Sequence, residues 1–296
     1  MPIDVIKVLT GLWLLTACFS SLIAQDQQLQ WSDVTGYSFP SADIGEIRWM
    51  QEGSNYTSLV SYNGVSTIFK VDISNSESNS SKDFYENSEV IFAADQVAWP
   101  DRSSVPNIDS YSFSANEQFI LLSVEQESIW RRSRKAHYYV YNRETKEILR
   151  LFESDIKQSL AEFSPDYQSI AFVADRNLYI HDLFTGQVKQ ITQDGSAGSI
   201  INGATDWVYE EEFYLTKAWV WTADSKSIVY LKFDETQVPL FTMEKWGDRY
   251  SDFTSFKYPR AGEKNSMVTP WVYNLDTDFH QKIELGELNE WYIPRL

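Results

Sequence analysis

Three stretches of the chain repeat one arrangement of apolar and polar positions: YSFSANEQFILLSV (111–124), AEFSPDYQSIAFVA (161–174) and WVWTADSKSIVYLK (219–232). In each, an aromatic residue (Phe113, Phe163, Trp221) is followed by Ser or Thr and a turn rich in Asn, Asp and Pro. An apolar strand resumes seven positions after the aromatic, at Ile120, Ile170 and Ile228. The pattern predicts strand, tight turn, strand. Alternation also breaks at a polar turn and resumes in HYYVYNRETKEILRL (137–151), LYIHDLFTGQVKQIT (178–192) and WVYNLDTDFHQKIEL (271–285), and a weaker copy spans 47–73. Four strands per unit at a spacing of about 50 residues predict an all-β chain built as a β-propeller. A β-sandwich with long loops is the competing arrangement, and explains repeated aromatic-plus-turn units less well. Amphipathic helical periodicity is weak, so helices should be few and short.

Composition agrees with this. Aromatic residues make up 15% of the 296, and such side chains suit pleated, half-buried surfaces. The net charge of -17 excludes a nucleic-acid partner, since nothing would neutralise a phosphate backbone, and favours cationic ligands. Residues 1–24 have the pattern of a signal peptide: Lys7 precedes an apolar run from Val8 to Ala24, and QDQQLQ follows. Leu15-Thr16-Ala17-Cys18 also has the form of a lipobox. Three outcomes stand open: cleavage after Ala24, lipidation of Cys18 with membrane attachment through it, or an uncleaved anchor. All place residues 25–296 outside the cytoplasm, secreted or periplasmic. Cys18 is the sole cysteine, so no intrachain disulfide can form. The Ser- and Asn-rich stretch 74–83 reads as an exposed loop.

Two stretches depart from the repeat: VEQESIWRRSRKA (124–136), inserted between two strands of one unit, and the segment from Asp194 to Ala218. Departures from a rigid scaffold are where binding groups are carried. The catalytic inventory is otherwise thin. His137 and His181 fall in predicted strands and read as structural or exposed; His280 is the third histidine. No G-x-S-x-G elbow is present, and Gly195-Ser196-Ala197-Gly198 reads as a flexible loop. No zinc-ligand spacing or phosphate loop occurs, so neither metal nor organic cofactor is implied. The sharpest feature is TDWVYEEEFY (205–214), where Glu210, Glu211 and Glu212 sit among aromatics. Two convergent carboxylates can satisfy two donors of a substrate ammonium. Successive residues of a helical turn diverge by about 100°, so two of the three could share a ligand while the third points elsewhere. An exposed acidic loop is the plainer reading. Likewise Trp130-Arg131-Arg132-Ser133-Arg134-Lys135 is either a solvent-facing basic hairpin tip or the carrier of an Arg that binds a carbonyl or the glutamates.

NGATDWVYEEEFY (202–214) resembles the double-Glu region of the dipeptidyl peptidase IV family of serine peptidases, and the likeness runs on through WTADSKSIVYLKFDETQVPLF (221–241) and KYPRAGEKNSMVTPWVYNLDT (257–277). The resemblance spans about residue 30 to the end. It implies an eight-bladed propeller followed by an α/β-hydrolase domain, and release of dipeptides with Pro or Ala second from free N-termini. It further implies that Glu211 and Glu212 hold the substrate ammonium, that Glu210 is a flanking acid, and that Arg131, in the W-R-x-S pattern of 130–133, touches a substrate carbonyl and braces the glutamates. Homodimers are expected of the complete enzyme. Residues 25–296 then read as about four blades of the eight, an N-terminal fragment without the hydrolase domain and its catalytic Ser, Asp and His. No dipeptide release is expected from this chain alone. A non-catalytic propeller that binds peptides or partner proteins is the alternative function.

Overall fold

The computed structural model describes residues 31–35, 46–73, 85, 88–247, 249–286 and 292–296. The leader, Cys18 and the 74–83 stretch lie outside these residues. Trp31–Thr35 forms a short helix, α1. A separate compact unit begins at Gly45 and carries all of the described strands.

The repeat read from the pattern is a series of antiparallel sheets, and the predicted partial propeller is met by four of them, three of four strands and one of five. The first runs β1 (Glu46–Trp49), β2 (Asn55–Tyr62), β3 (Val65–Asp72) and β4 (Glu89–Ala93), in that order. The second comprises β5 (Ile108–Phe113), β6 (Phe119–Ser128), β7 (Arg134–Asn142) and β8 (Ile148–Arg150). The third comprises β9 (Gln158–Phe163), β10 (Ser169–Ala174), β11 (Asn177–Asp182) and β12 (Val188–Gln190). The second and third are bridged at one pair, Ala136 and Gln158. In the fourth, β13 (Ile200–Asn202) and β14 (Trp219–Trp221) both pair with β15 (Ser227–Asp234), and β18 (Met267–Asn274) and β19 (Phe279–Lys282) complete the sheet. Between β15 and β18 a separate hairpin is formed by β16 (Leu240–Lys245) and β17 (Asp252–Lys257).

Local chemistry explains why the three strongest copies look alike. Ser114, Ser164 and Thr222 directly follow the first strand at each turn. Their hydroxyl oxygens accept from the N–H groups of Phe119 (3.0 Å), Ser169 (3.0 Å) and Ser227 (2.9 Å). The same hydroxyls donate to Asn116, Asp166 and Asp224 at 2.6–2.7 Å. Each turn then passes through one left-handed residue: Glu117, Tyr167 or Ser225, with φ of 58°, 53° and 60°. Hydroxyl and Asx side chains replace backbone partners that a tight turn leaves unpaired. The β7–β8, β11–β12 and β18–β19 turns use a different recipe, in which Asn142, Asp182 and Asn274 accept backbone N–H groups two or three residues on.

The cores lie between the sheets. Along β6, Ile120, Leu122 and Val124 pack with Ile68, Phe92 and Tyr111 of the first two sheets, whereas Phe119 and Leu121 pack with Phe163, Ile170 and Phe172 of the third. Along β10, Ala171 and Val173 face the other way, toward Trp219, Ile228 and Tyr230 of the fourth. Successive strand residues point to opposite faces, so a sheet covered on both sides needs an unbroken apolar run. FILLSV, interrupted only by the small, buried Ser123, and the IAFVA that follows Ser169 are such runs.

The histidines are built into this framework. His181 is buried, and its Nδ1 lies 2.7 Å from the Leu151 carbonyl oxygen. His137 is buried beside Arg150 and Glu125, and His280 spans Tyr230 Oη and the Ile191 carbonyl, each at 3.1 Å. The 195–198 run differs from the flexible loop its glycines suggest. Gly195 N–H donates to Asn177 Oδ1 at 2.9 Å, Ser196 bridges Ile200, and a Cβ on Gly195 would lie 2.3 Å from the Arg176 carbonyl oxygen. Here glycine serves close backbone approach.

Candidate functional site

Both departures from the repeat carry parts of one site. The first is the lengthened β6–β7 hairpin. A register shift between Val124 and Glu127, with Glu125 at φ 54°, re-aims the ribbon, and Ile129 N–H closes the tip onto the Ser133 carbonyl at 2.9 Å. The Arg134 guanidinium donates to the carbonyls of Trp130, Arg131 and Ser133 at 3.0–3.3 Å. The stem is laced by charge: Lys157 Nζ donates to the Glu125 carbonyl and to Glu127 Oε1, both at 2.6 Å, and Lys135 pairs with Glu127. Those lysines, Lys157 first, hold the Glu127 carboxyl below the usual carboxylate range.

The second is a helix, α2 (Trp207–Phe213). Asp206 caps its N-terminus, accepting the Tyr209 N–H at 2.9 Å and the Ser266 hydroxyl at 2.6 Å. Burial pushes the Asp206 carboxyl up, and these two bonds oppose the shift. The helix ends at Tyr214 in the left-handed conformation, φ 58°. Tyr209 is its anchor: buried, it packs edge-on to Phe213 and Phe233, and its hydroxyl accepts the Ile293 N–H at 2.9 Å. Burial raises the Tyr209 phenol to about 12.

Rotation along the helix separates the three glutamates, and each has a different fate. Glu210, 2% exposed, turns inward. Its Oε1 accepts the backbone N–H groups of Arg132 (2.6 Å) and Ser133 (3.0 Å). Glu211 is half-buried and meets the Arg131 guanidinium side-on: Nε to Oε2 and Nη2 to Oε1, both 3.1 Å. Glu212 is exposed, with no hydrogen bond or ion pair among the described residues. The aromatic setting therefore buries Glu210 and leaves its two neighbours progressively nearer water. The step of about 100° per residue of the α-helix puts Glu211 opposite the core face set by Tyr209 and Phe213 and places Glu210 and Glu212 on its two flanks; the arginine hairpin covers the Glu210 flank and leaves the Glu212 flank open to water.

Of the residues singled out from the sequence, Arg131 and Glu211 are brought together across 80 positions of chain, and Glu212 adjoins them by sequence. Cys18 lies outside the described residues. Sequence reasoning gave Glu210 only a flanking position and missed that it holds the Arg hairpin by its backbone. A carboxylate beside a buried Tyr and within one helical turn of an N-cap was the available signal. Also missed was Arg132, whose guanidinium carbon sits 4.1 Å from the ring centre of the exposed Tyr214, a cation–π contact at the helix end.

A cavity of about 1160 Å³ borders Glu210 and Trp130, together with Arg176, Glu235, Phe256 and Lys257; Arg131, Glu211 and Glu212 are not on its wall. In it Glu235, buried, pairs with Arg176 at 3.2 Å, and burial raises its carboxyl. Among the described residues no group of three His, Cys, Asp or Glu side chains is arranged to hold a metal. Nor, among them, is any helix long and apolar enough to cross a membrane. Chemically, the site offers one carboxylate already engaged, one free, and an Arg whose Nη1 still has donors to give. Such a set suits a ligand with a cationic end and a neighbouring carbonyl.

Residues 114–296 match the family model described as dipeptidyl peptidase IV (DPP IV) N-terminal region. A Schizosaccharomyces pombe protein named as a dipeptidyl aminopeptidase is 30% identical over 253 residues, covering 81% of this chain and 30% of that protein. Mouse prolyl endopeptidase FAP is 33% identical over 175 residues, 58% of this chain and 23% of the relative. The crystal structure of Porphyromonas gingivalis dipeptidyl peptidase 4 superposes with a TM-score of 0.80 at 30% identity, over 91% of this chain and 37% of that one. The chain thus spans less than a third of the length of either curated relative.

Proposed function

The chain belongs to the dipeptidyl peptidase IV family, as part of its N-terminal region, and on that premise we propose that it gauges the free N-terminus of a peptide substrate for dipeptide release. Glu211 and Glu212 take the substrate ammonium, and Arg131 donates its remaining N–H groups to the carbonyl that follows. The observation that supports this best is the side-on Arg131–Glu211 pair. It joins two segments 80 residues apart, each a place where the chain departs from its repeat. Arg131 is 70% exposed, so the pair is open to a ligand rather than sealed in the core.

The gauge works by what it excludes. A free amino terminus supplies donors for two carboxylates; an internal peptide bond supplies a single neutral N–H and leaves both acids short of partners. Chain extending beyond the ammonium would have to displace the glutamates. In the complete protein, acyl transfer would follow on a serine nucleophile supplied by the hydrolase domain that the family resemblance implies. Secretion or periplasmic export, with or without lipidation at Cys18, belongs to the same proposal, as does a homodimer of the complete enzyme.

The test uses two peptides differing only at the N-terminus: a free-amine tripeptide with Pro second, and its N-acetylated form. Titration calorimetry with this chain should show the free amine bound about tenfold tighter or more, the discrimination one charge-assisted bond supplies. Glu211→Gln with Glu212→Gln should erase that difference. Equal binding of the two peptides by the unaltered chain would refute the gauge.

A further inference from the structure

The two site segments come from different sheets, yet the function proposed above needs Arg131 and the glutamates at a fixed separation. The Arg131–Glu211 pair is largely open to water, where ion pairs contribute little, so the direct tie is the Glu210 carboxylate on the Arg132 and Ser133 N–H groups. A second support runs beside it. Trp130, next to Arg131, packs on Phe256 at 5.0 Å between ring centres. Trp207, in the first turn of α2, packs edge-on to Tyr258 at 4.7 Å. Phe256 and Tyr258 both contact Phe241, at 5.9 and 5.4 Å. Phe241 and Phe256 are directly opposed in the β16–β17 register. One continuous set of rings therefore runs from the arginine hairpin to the glutamate helix by way of the base of the β16–β17 hairpin.

That base is itself pinned to the scaffold. Tyr258 N–H donates to the Pro239 carbonyl at 3.0 Å, Lys257 Nζ donates to the Val238 carbonyl at 2.7 Å, and Glu235 N–H donates to the Ser199 carbonyl at 2.6 Å. The tip is different in kind: Trp246, Tyr250 and Phe253 are 89%, 85% and 68% exposed and share no ring contact with the set. Sheet edges and lone hairpins are marginal on their own, so the ring contacts at the base also define where the hairpin stands.

We propose that Phe256, with Phe241 and Tyr258, is a positioning device that sets the separation of Arg131 from Glu211 and Glu212. The inference rests on the ammonium-gauge reading for its consequence, but not for its geometry. Phe256 is not among the groups assigned to the ligand; it acts through Trp130. Misplacing a binding group by about 1 Å can cost orders of magnitude in a positioned complex, so a loss of about tenfold is expected when the ring is removed.

The experiment compares Phe256→Ala, Phe256→Leu and Phe256→Tyr in the full 296-residue chain. In the absence of ligand, the Arg131 Nε–H resonance reports its bond to Glu211. It should move toward the free-arginine position in the Ala and Leu variants and stay in place in the Tyr variant, which keeps the ring. Affinity for the free-amine tripeptide should fall about tenfold in Ala and Leu and recover in Tyr. Should Phe256→Ala fail to fold, the Leu–Tyr contrast decides alone. An unmoved Arg131 resonance in folded Ala or Leu variants overturns the device, whatever the peptides do. If instead the resonance moves but the unaltered chain binds free and acetylated peptides alike, the device stands and the gauge falls.

Discussion

Replacing Glu210 by alanine removes a buried acceptor from two backbone donors at once. Arg132 and Ser133 N–H, 2.6 and 3.0 Å from Oε1, would be left in a partly buried turn with no protein partner. A hydrogen bond to a charged group contributes about 1.5–3 kcal/mol, and the relief of desolvating the carboxylate offsets part of the loss, so about 2–4 kcal/mol is expected for the pair. Both bonds go to the same oxygen. Glu210→Gln therefore keeps a carbonyl oxygen that can accept both, and should cost about 1 kcal/mol for the lost charge assistance. Native-state hydrogen exchange measures the effect where it arises: about 2 kcal/mol of local stability is a roughly thirtyfold faster exchange of those two amides. Glu210→Ala should accelerate them about thirtyfold or more, Glu210→Gln about fivefold, with Trp219 and Tyr139 amides in the cores little changed. Two results would refute this reasoning: both amides as protected in Glu210→Ala as before, or Gln as damaging as Ala.

Two further outcomes are expected from the framework. Gly203 sits at φ +76°, and a Cβ there would lie 2.7 Å from Leu178 atoms, so Gly203→Ala combines backbone strain with overpacking. It should lower the urea midpoint by the equivalent of about 2 kcal/mol or more, and an unchanged midpoint would contradict the close packing between the third and fourth sheets. His181 is held neutral: burial lowers its pKa, only partly opposed by the Leu151 carbonyl. The unfolded chain then takes up the proton first as pH falls, so stability is unaffected above the ordinary histidine range and declines through it. The slope from this residue is at most about 1.4 kcal/mol per pH unit. The difference between urea melts at about pH 7.5 and 5.5, either side of the ordinary histidine pKa, should shrink in a His181→Leu variant, with His137, whose pKa burial also lowers, supplying part of the remainder; a pH dependence that survives intact would place its origin elsewhere.

What the sequence determined by itself is local and periodic. The aromatic–Ser/Thr–Asx signature marks each first turn because its side chains make the turn's own hydrogen bonds, between near neighbours in the chain. FILLSV and IAFVA announce sheets covered on both faces, since strand alternation leaves no polar side to show. The acidic triplet and the W-R-R-S run could be picked out as departures from that rhythm. Which glutamate does what could not, because the phase of so short a helix is decided by where Tyr209 finds its core among Phe213, Phe233 and Tyr292. That phase buries Glu210 against the arginine turn, sets Glu211 on Arg131 and leaves Glu212 outside. The ring set that spans the two segments was likewise invisible. Trp130, Trp207, Phe241, Phe256 and Tyr258 obey no common spacing, and only the folding of β16 onto β17 brings them into one line. Short-range bonds can be read from neighbours in the chain; distances between sheets are set by packing, which no single stretch encodes.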